Sequence, residues 1–549
     1  MRSRFAAAAA CMMAVFSVLT AHLAMIAADP QYAAAARAQS EETLLLDEGR
    51  GNFYDCNWTR LTGAQYVEYG LFSPGRESYS EWFGAVDGAE RAAFYENVQS
   101  LAPFLLPLDK DSERPQYVFR KTQRYMTMPI AEHLIGYLDG EGTGVSGLEA
   151  AFDGLLEGAY TRQSVWCAAN AVGAVITDGR AQPHEVKTLG TGAGVMLTLD
   201  ARIQRICESI AADMIDKGCI VVLESRTGRV RASVSAPSFD PTDVAASIER
   251  DDTSLINRPV SAFNVGSVFK PLLAAAALEA GVSPEQTYEC TGAIEVNGHV
   301  YRCAYGHGHG TVDMRTALEQ SCNCYFIRLG LSLGAQRVYE AAAAAGFGRA
   351  STIAGSWRTA AGSLPSQEEL EDLGQLASVS FGQGALMATP LQVAAFMNIF
   401  ANEGRYIEPT FVEGIVDAYR RQVSESLYAP VQTQAFSAAA AEQVRAMLAG
   451  VVENGLGQPA QPAMTTAGGK TGTAQTGRYG EDGEEKLDAW FAGFYPADAP
   501  RYTIAVLLDD GAHSSTDAAE VFAAVAAGLY CFEGCPEEDA GAQNGAAAS

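Results

Sequence analysis

The stretch Phe263-Asn264-Val265-Gly266-Ser267-Val268-Phe269-Lys270 decides how this chain is read. Gly266 ends an extended approach, and the run Pro271-Leu272-Leu273-Ala274-Ala275-Ala276-Ala277-Leu278-Glu279-Ala280 is a strong helix former that Gly281 stops. Ser267 therefore falls at the first helical turn, where Pro271 is tolerated because the leading amides lack intrahelical partners. Residues three apart share a helix face, so the spacing predicts the Lys270 amine within reach of the Ser267 hydroxyl. A serine becomes a nucleophile when a base takes its proton, and a desolvated lysine of lowered pKa is such a base.

Taken alone, a serine three residues before a lysine arises often by chance on solvated helices; its surroundings give it meaning. Ser321-Cys322-Asn323 begins 54 residues after Ser267, and Lys470-Thr471-Gly472-Thr473 begins 149 residues after Ser321. A fourth landmark is Phe381-Gly382-Gln383-Gly384-Ala385-Leu386-Met387-Ala388-Thr389-Pro390-Leu391-Gln392, which opens a helix with Pro390 just inside its start and Thr389 as its cap. In this order the set resembles the penicillin-recognising serine acyltransferases. Upstream, Glu48-Gly49-Arg50-Gly51-Asn52-Phe53-Tyr54-Asp55-Cys56-Asn57 is similar to a segment of the membrane-anchored class B penicillin-binding proteins, departing from it at Phe53 and Cys56. His133 to Tyr137 and Gly142 to Glu149 resemble the non-catalytic region of the same class.

That resemblance implies an α+β or α/β fold, with an antiparallel five-stranded sheet flanked by helices, a small N-terminal pedestal and a transmembrane anchor. It also implies the chemistry. Ser267 attacks a peptide carbonyl, Lys270 accepts the proton, Ser321 shuttles a proton to the leaving amine, and Asn323 orients Lys270 and the substrate amide. The backbone N–H groups of Ser267 and Thr473 form the oxyanion hole. Lys470 supplies positive charge, and Thr471, Gly472 and Thr473 form the substrate-binding strand, whose glycines allow another backbone to approach. In the family the donor is a D-alanyl-D-alanine stem peptide of lipid-linked precursor or nascent glycan, and β-lactams acylate the same serine. A membrane glycosyltransferase is the implied partner. A β-lactamase or D,D-carboxypeptidase, with water as acceptor, and a catalytically silent scaffold of a cell-wall synthesis complex are the competing readings. Phe269 stands where Gly-x-Ser-x-Gly needs its second glycine, which disfavours a Ser-His-Asp hydrolase.

Composition, with 48% apolar and 19% charged residues, fits a globular chain. The net charge of −27 over 549 residues, without a cluster of Lys and Arg, argues against a nucleic-acid partner. Phe5 to Ala28 carries no Asp, Glu, Lys or Arg and is long enough to span a bilayer. Arg2 and Arg4 place its amino end in the cytoplasm. Small residues at Ala27-Ala28 and Ala34-Ala35-Ala36 also suit a cleaved signal, but the length of the apolar run favours an uncleaved anchor. The expected division is 1–30 as cytoplasmic tip and anchor, 31–47 as juxtamembrane stalk, 48–190 as pedestal, 191–533 as the transpeptidase domain and 534–549 as a disordered tail. Residues 48–190 leave no room for a glycosyltransferase domain, which points to class B.

Other local features take plainer readings. Gly190-Thr191-Gly192-Ala193-Gly194 precedes a strand instead of following one, so it is a turn and not a dinucleotide site. Asp200 caps a helix through Ile203, Ile206, Ile210 and Met214 that Gly218 ends. Cys290 and Cys303 bracket a hairpin turning at Asn297-Gly298 and are assigned a disulfide, with Cys531 and Cys535 as a second pair. Gly306-His307-Gly308-His309-Gly310 alternates glycine with histidine and reads as a flexible loop, so no metal and no cofactor are expected.

Overall fold

The computed structural model describes residues 2–31, 40–177, 182–190, 192–250, 252–303, 307–417, 419, 421–422, 424, 430–480, 483–511 and 514–534. Residues 32–39 of the expected stalk, Thr191, Gly306, Cys535 and the expected tail after Gly534 lie outside them. The chain divides into two compact units: Met1–Gly51, Gly63–Arg124 and Leu156–Gly192 form one, and Asn52–Thr62, Tyr125–Leu155 and Ala193–Ser549 the other. The second unit thus takes in two segments, 52–62 and 125–155, that the expected linear division gives to the pedestal.

In the first unit, Arg2–Ala28 is one continuous, solvent-exposed helix. Its stretch Ser3–Ala28 is long and apolar enough to cross a membrane. Glu41–Asp47, expected as part of a stalk, is instead a strand paired antiparallel with Arg162–Ala169. The reason is its leucines: Leu46 is buried and packs with Leu71, Val165 and Cys167, which an extended solvated linker would leave in water. A second sheet places Gln65–Phe72 between Phe104–Pro107 and Val118–Gln123. Aromatic residues close its core, Phe72 meeting Phe94 edge-on at 5.3 Å.

The second unit is built on a five-stranded antiparallel sheet in the order Val230–Ala236, Gly218–Glu224, Tyr502–Gly511, Glu485–Tyr495, Gly468–Tyr479. Helices Ala201–Met214 and Ser515–Gly534 cover one face, burying Ile203, Cys207, Phe522 and Val525 against Ile220, Phe491, Ile504 and Val506. Helix Pro390–Ala401 lies on the other face, where the Asn398 amide donates to Ser225 O at 3.0 Å and accepts from Thr503 Oγ1 at 2.8 Å. Cover on both faces explains why Cys219 to Leu223 is an unbroken apolar run with no exposed surface.

Asp200 caps its helix as expected, accepting from Arg202 N at 3.0 Å, and Thr389 with Gln392 forms a full capping box. Gly218 has another task. The helix ends at Met214, and Gly218 opens a strand where a Cβ would stand 2.1 Å from Leu507 O. The helix after Ser321 is also longer than its local pattern suggests, running Asn323–Ala344 with a bend at Gly334, φ 81°.

Candidate active site

Ser267 lies on a 3-10 turn, Gly266–Phe269, that runs directly into helix Lys270–Glu279. Every residue from Lys270 to Ala277 is buried, so these two turns of helix have no solvent face. The turn bearing Ser267 is held from two sides. Gly266 takes φ +65° and donates its N–H to Gly382 O at 2.8 Å, while a Cβ on Gly382 would lie 1.7 Å from Gly266 O. The Gly382-Gln383-Gly384 segment is thus a clasp on the turn bearing Ser267. On the sheet side, Trp490 Nε1 donates to Asn264 O at 2.8 Å, fixing the approach to Ser267.

The second motif meets the first through an amine. Lys270 Nζ donates to Ser321 O at 2.7 Å, to Ser321 Oγ at 3.0 Å and to Asn323 Oδ1 at 2.7 Å. Three acceptors match the three protons of an ammonium, and the base form gives up one of these bonds. Among the described residues no hydrogen bond joins Lys270 to Ser267, the contact that spacing alone predicts; the amine turns toward the 321–323 loop because the acceptors are there. Ser321 itself sits in the left-handed region, φ +53°, a conformation that a non-glycine residue holds only under constraint. Asn323 is braced in turn, its Nδ2 donating to Arg302 O at 2.9 Å. Burial pushes Lys270 down to about 8, against the pull of the sulfurs of Cys322, Cys303 and Cys324.

The third motif closes the cleft along the sheet edge. Gly472 pairs with Trp490, and a Cβ at Gly472 would lie 2.9 Å from Val268 Cγ1. The Thr473 carbonyl backs onto Gly266 and accepts from Gln383 Nε2 at 3.4 Å, with the Thr473 side exposed. Lys470 is fully buried, donating to Thr471 O at 3.1 Å and Thr471 Oγ1 at 3.2 Å. Its own burial and the charge of Lys270 push it well below the usual lysine range. All four landmarks therefore meet around Ser267, and Gln383 joins them, a residue whose sequence context points only to a structural turn.

The family description "Penicillin binding protein transpeptidase domain" matches residues 218–527. The chain belongs to this family of transpeptidase domains. The penicillin-binding transpeptidase fold expected from the motifs is accordingly the fold observed. Stage V sporulation protein D of Bacillus subtilis is 30% identical over 69% of this chain and 58% of its own length. The peptidoglycan D,D-transpeptidase MrdA of Acinetobacter baumannii is also 30% identical, over 68% of this chain and 58% of its own. The chain thus spans under two thirds of the length of either curated relative. Penicillin binding protein 3 of Mycobacterium tuberculosis, solved with ampicillin, aligns with a TM-score of 0.65 at 25% identity, covering 91% of this chain and 98% of that one.

The described cysteines are free thiols, and the pair assigned a disulfide, Cys290 and Cys303, stands with its sulfurs 3.6 Å apart. A bond needs about 2.05 Å. The second pair falls partly outside the described residues, since Cys535 is not among them.

Proposed function

We propose that this penicillin-binding chain is a membrane-anchored serine D,D-transpeptidase that cross-links peptidoglycan stem peptides. One observation carries the reading: a buried amine, Lys270, holds the Ser321 and Asn323 side chains, while the Gly472-Thr473 edge packs on the turn bearing Ser267. MrdA, whose name states this activity, and the ampicillin complex support the substrate class.

The reaction runs as acyl transfer. Lys270, once neutral, takes the Ser267 proton, and Ser267 Oγ bonds to the carbonyl carbon of a D-Ala-D-Ala donor. The N–H groups of Ser267 and Thr473 stabilise the oxyanion, a contribution worth about 10²–10³ in rate per donor. Ser321 relays the proton to the departing amine, leaving an ester on Ser267. An amine from a neighbouring stem then attacks that ester and restores the hydroxyl. Lys470 and the hydroxyls of Thr471 and Thr473 receive the donor's terminal carboxylate through charge-assisted hydrogen bonds. Helix Arg2–Ala28 anchors the chain with its amino end in the cytoplasm and the catalytic unit outside, next to a membrane glycosyltransferase partner.

The test is fluorescent-penicillin labelling of the full-length protein in detergent, with mapping of the labelled peptide. A lasting adduct on Ser267 that Ser267→Ala abolishes is the expected result. Rapid release of the label identifies a β-lactamase, and no label at all identifies a silent scaffold; either overturns the proposal.

A further inference from the structure

Three cysteines and a histidine that are scattered along the chain converge beside the catalytic loop. Cys290 ends strand Tyr288–Cys290, Cys303 follows strand His299–Arg302, His309 precedes strand Gly310–Val312, and Cys322 stands between Ser321 and Asn323. One ligand atom from each lies within 4.8 Å of all the others. Cys290 Sγ is 3.6 Å from Cys303 Sγ and 3.4 Å from His309 Nδ1, and Cys303 Sγ is 3.9 Å from Cys322 Sγ. Cys324 Sγ also stands 3.5 Å from Cys303 Sγ, outside this set of four. The three sulfurs of the set are buried, and His309 is half-buried at the rim.

These separations have a chemical meaning. A tetrahedral zinc ion with Zn–S near 2.3 Å and Zn–N near 2.05 Å requires S···S edges of about 3.8 Å and S···N edges of about 3.6 Å. The three edges just given fall within about 0.2 Å of those values. Two thiols joined as a disulfide would sit far closer and would leave the third sulfur and the imidazole without a role. A set of three soft thiolates and one imidazole selects a d¹⁰ ion over calcium or magnesium.

We propose that Cys290, Cys303, Cys322 and Nδ1 of His309 bind one Zn²⁺ ion in a closed structural site that braces the Ser321–Asn323 loop. The ion joins the 290–303 hairpin to the loop at Cys322, so that Ser321 and Asn323 are each one residue from a ligand. With four protein ligands it has no open position and takes no part in acyl transfer. Binding displaces three thiol protons to solvent and leaves no electron transferred. The site revises two expectations. His309, expected to belong to a plain loop, has three cysteine sulfurs around it in space, and a Cys290–Cys303 disulfide excludes the metal.

The metal assignment is independent of the transpeptidase reading, because its first readout is metal content. Full-length protein purified in detergent, under reducing conditions and without chelator, is analysed by elemental mass spectrometry. About one zinc per chain is expected, falling below about a fifth of that in Cys303→Ser and His309→Ala. Replacement by Co²⁺ in the parent protein is expected to give the intense visible bands of a tetrahedral thiolate site, a readout that needs no variant to fold. Zinc removal by a strong chelator is expected to slow penicillin acylation at least tenfold, with recovery on adding Zn²⁺. Substoichiometric metal, zinc retained by both variants, octahedral Co²⁺ spectra, or a Cys290–Cys303 disulfide in protein from untreated membranes would each overturn the site. Acylation unchanged after zinc removal would overturn the brace.

Discussion

Lys270 Nζ lies 2.7 Å from Asn323 Oδ1, and this short contact ties helix Lys270–Glu279 to the loop that carries Ser321. An amide oxygen accepts the bond without favouring charge as strongly as a carboxylate does. Asn323→Asp keeps the shape and changes that. A carboxylate beside the amine raises its pKa by about 1–3 units, so the neutral fraction at neutral pH drops about tenfold or more. The expected outcome is an equal drop in the second-order rate of penicillin acylation, with the acid limb of the pH profile moved upward. A limb that stays in place would remove Lys270 from the role of base.

The parent protein has its own pH signature. Burial holds Lys270 at about 8, below its ordinary 10.5, and in the proposed reaction only the deprotonated amine accepts the Ser267 proton. Acylation therefore rises about tenfold per pH unit on the acid side and levels off above pH about 8. Stopped-flow labelling across that range is the measurement. A flat rate through neutrality would assign the base elsewhere.

Gly382 is irreplaceable on geometric grounds. It has φ +85° and its missing Cβ would fall 1.7 Å from Gly266 O, so Gly382→Ala meets both backbone strain and a clash with the turn it clasps. A loss of about 2–4 kcal/mol is expected by denaturant unfolding, together with a large drop in labelling at Ser267. At the neighbouring Gly384 an added Cβ would meet the Ser378 side chain first, at 3.1 Å, so Gly384→Ala should cost less. Equal effects at the two positions would count against the clasp.

Much of this site is written locally. The caps at Asp200, Asp313 and Thr389, the Asn297-Gly298 hairpin turn and the apolar runs of the sheet each depend on near neighbours, and the structure contains them all. Gly218 is harder, because a glycine after a helix looks the same whether it stops that helix or admits a neighbouring strand. Residues 41–47 are hidden by alanine- and glutamate-rich surroundings, although Leu44-Leu45-Leu46 carries the signal. The thiol and imidazole cluster has no local signature at all. Cys290, Cys303, His309 and Cys322 meet only because two short hairpin-like pairings fold back on the 321–323 loop, and sequence spacing holds no record of that return. Gln383 escapes a sequence reading for a related reason: its partner, Thr473, is 90 residues away.

Arg258 and Asp509 form a buried ion pair at 2.9 Å, exposed by 1% and 6%. The guanidinium is otherwise satisfied by Thr253 O at 3.2 Å and Thr253 Oγ1 at 2.7 Å, so the loop before Ser267 is fixed to the central strand Tyr502–Gly511. Such a pair adds little over an apolar filling, because both charges lost their water, but removing one partner strands the other. Asp509→Ala should therefore cost about 3–5 kcal/mol, and Arg258→Met with Asp509→Leu considerably less than the sum of the single changes. A double-mutant cycle by denaturant unfolding measures this. Acylation should slow in Asp509→Ala even at temperatures where the protein stays folded, since Arg258 lies nine residues before Ser267 on the same approach. If the single and double variants lose stability additively, the two charges do not depend on each other and the anchoring of the Ser267 approach must come from Trp490 and Gly382 instead.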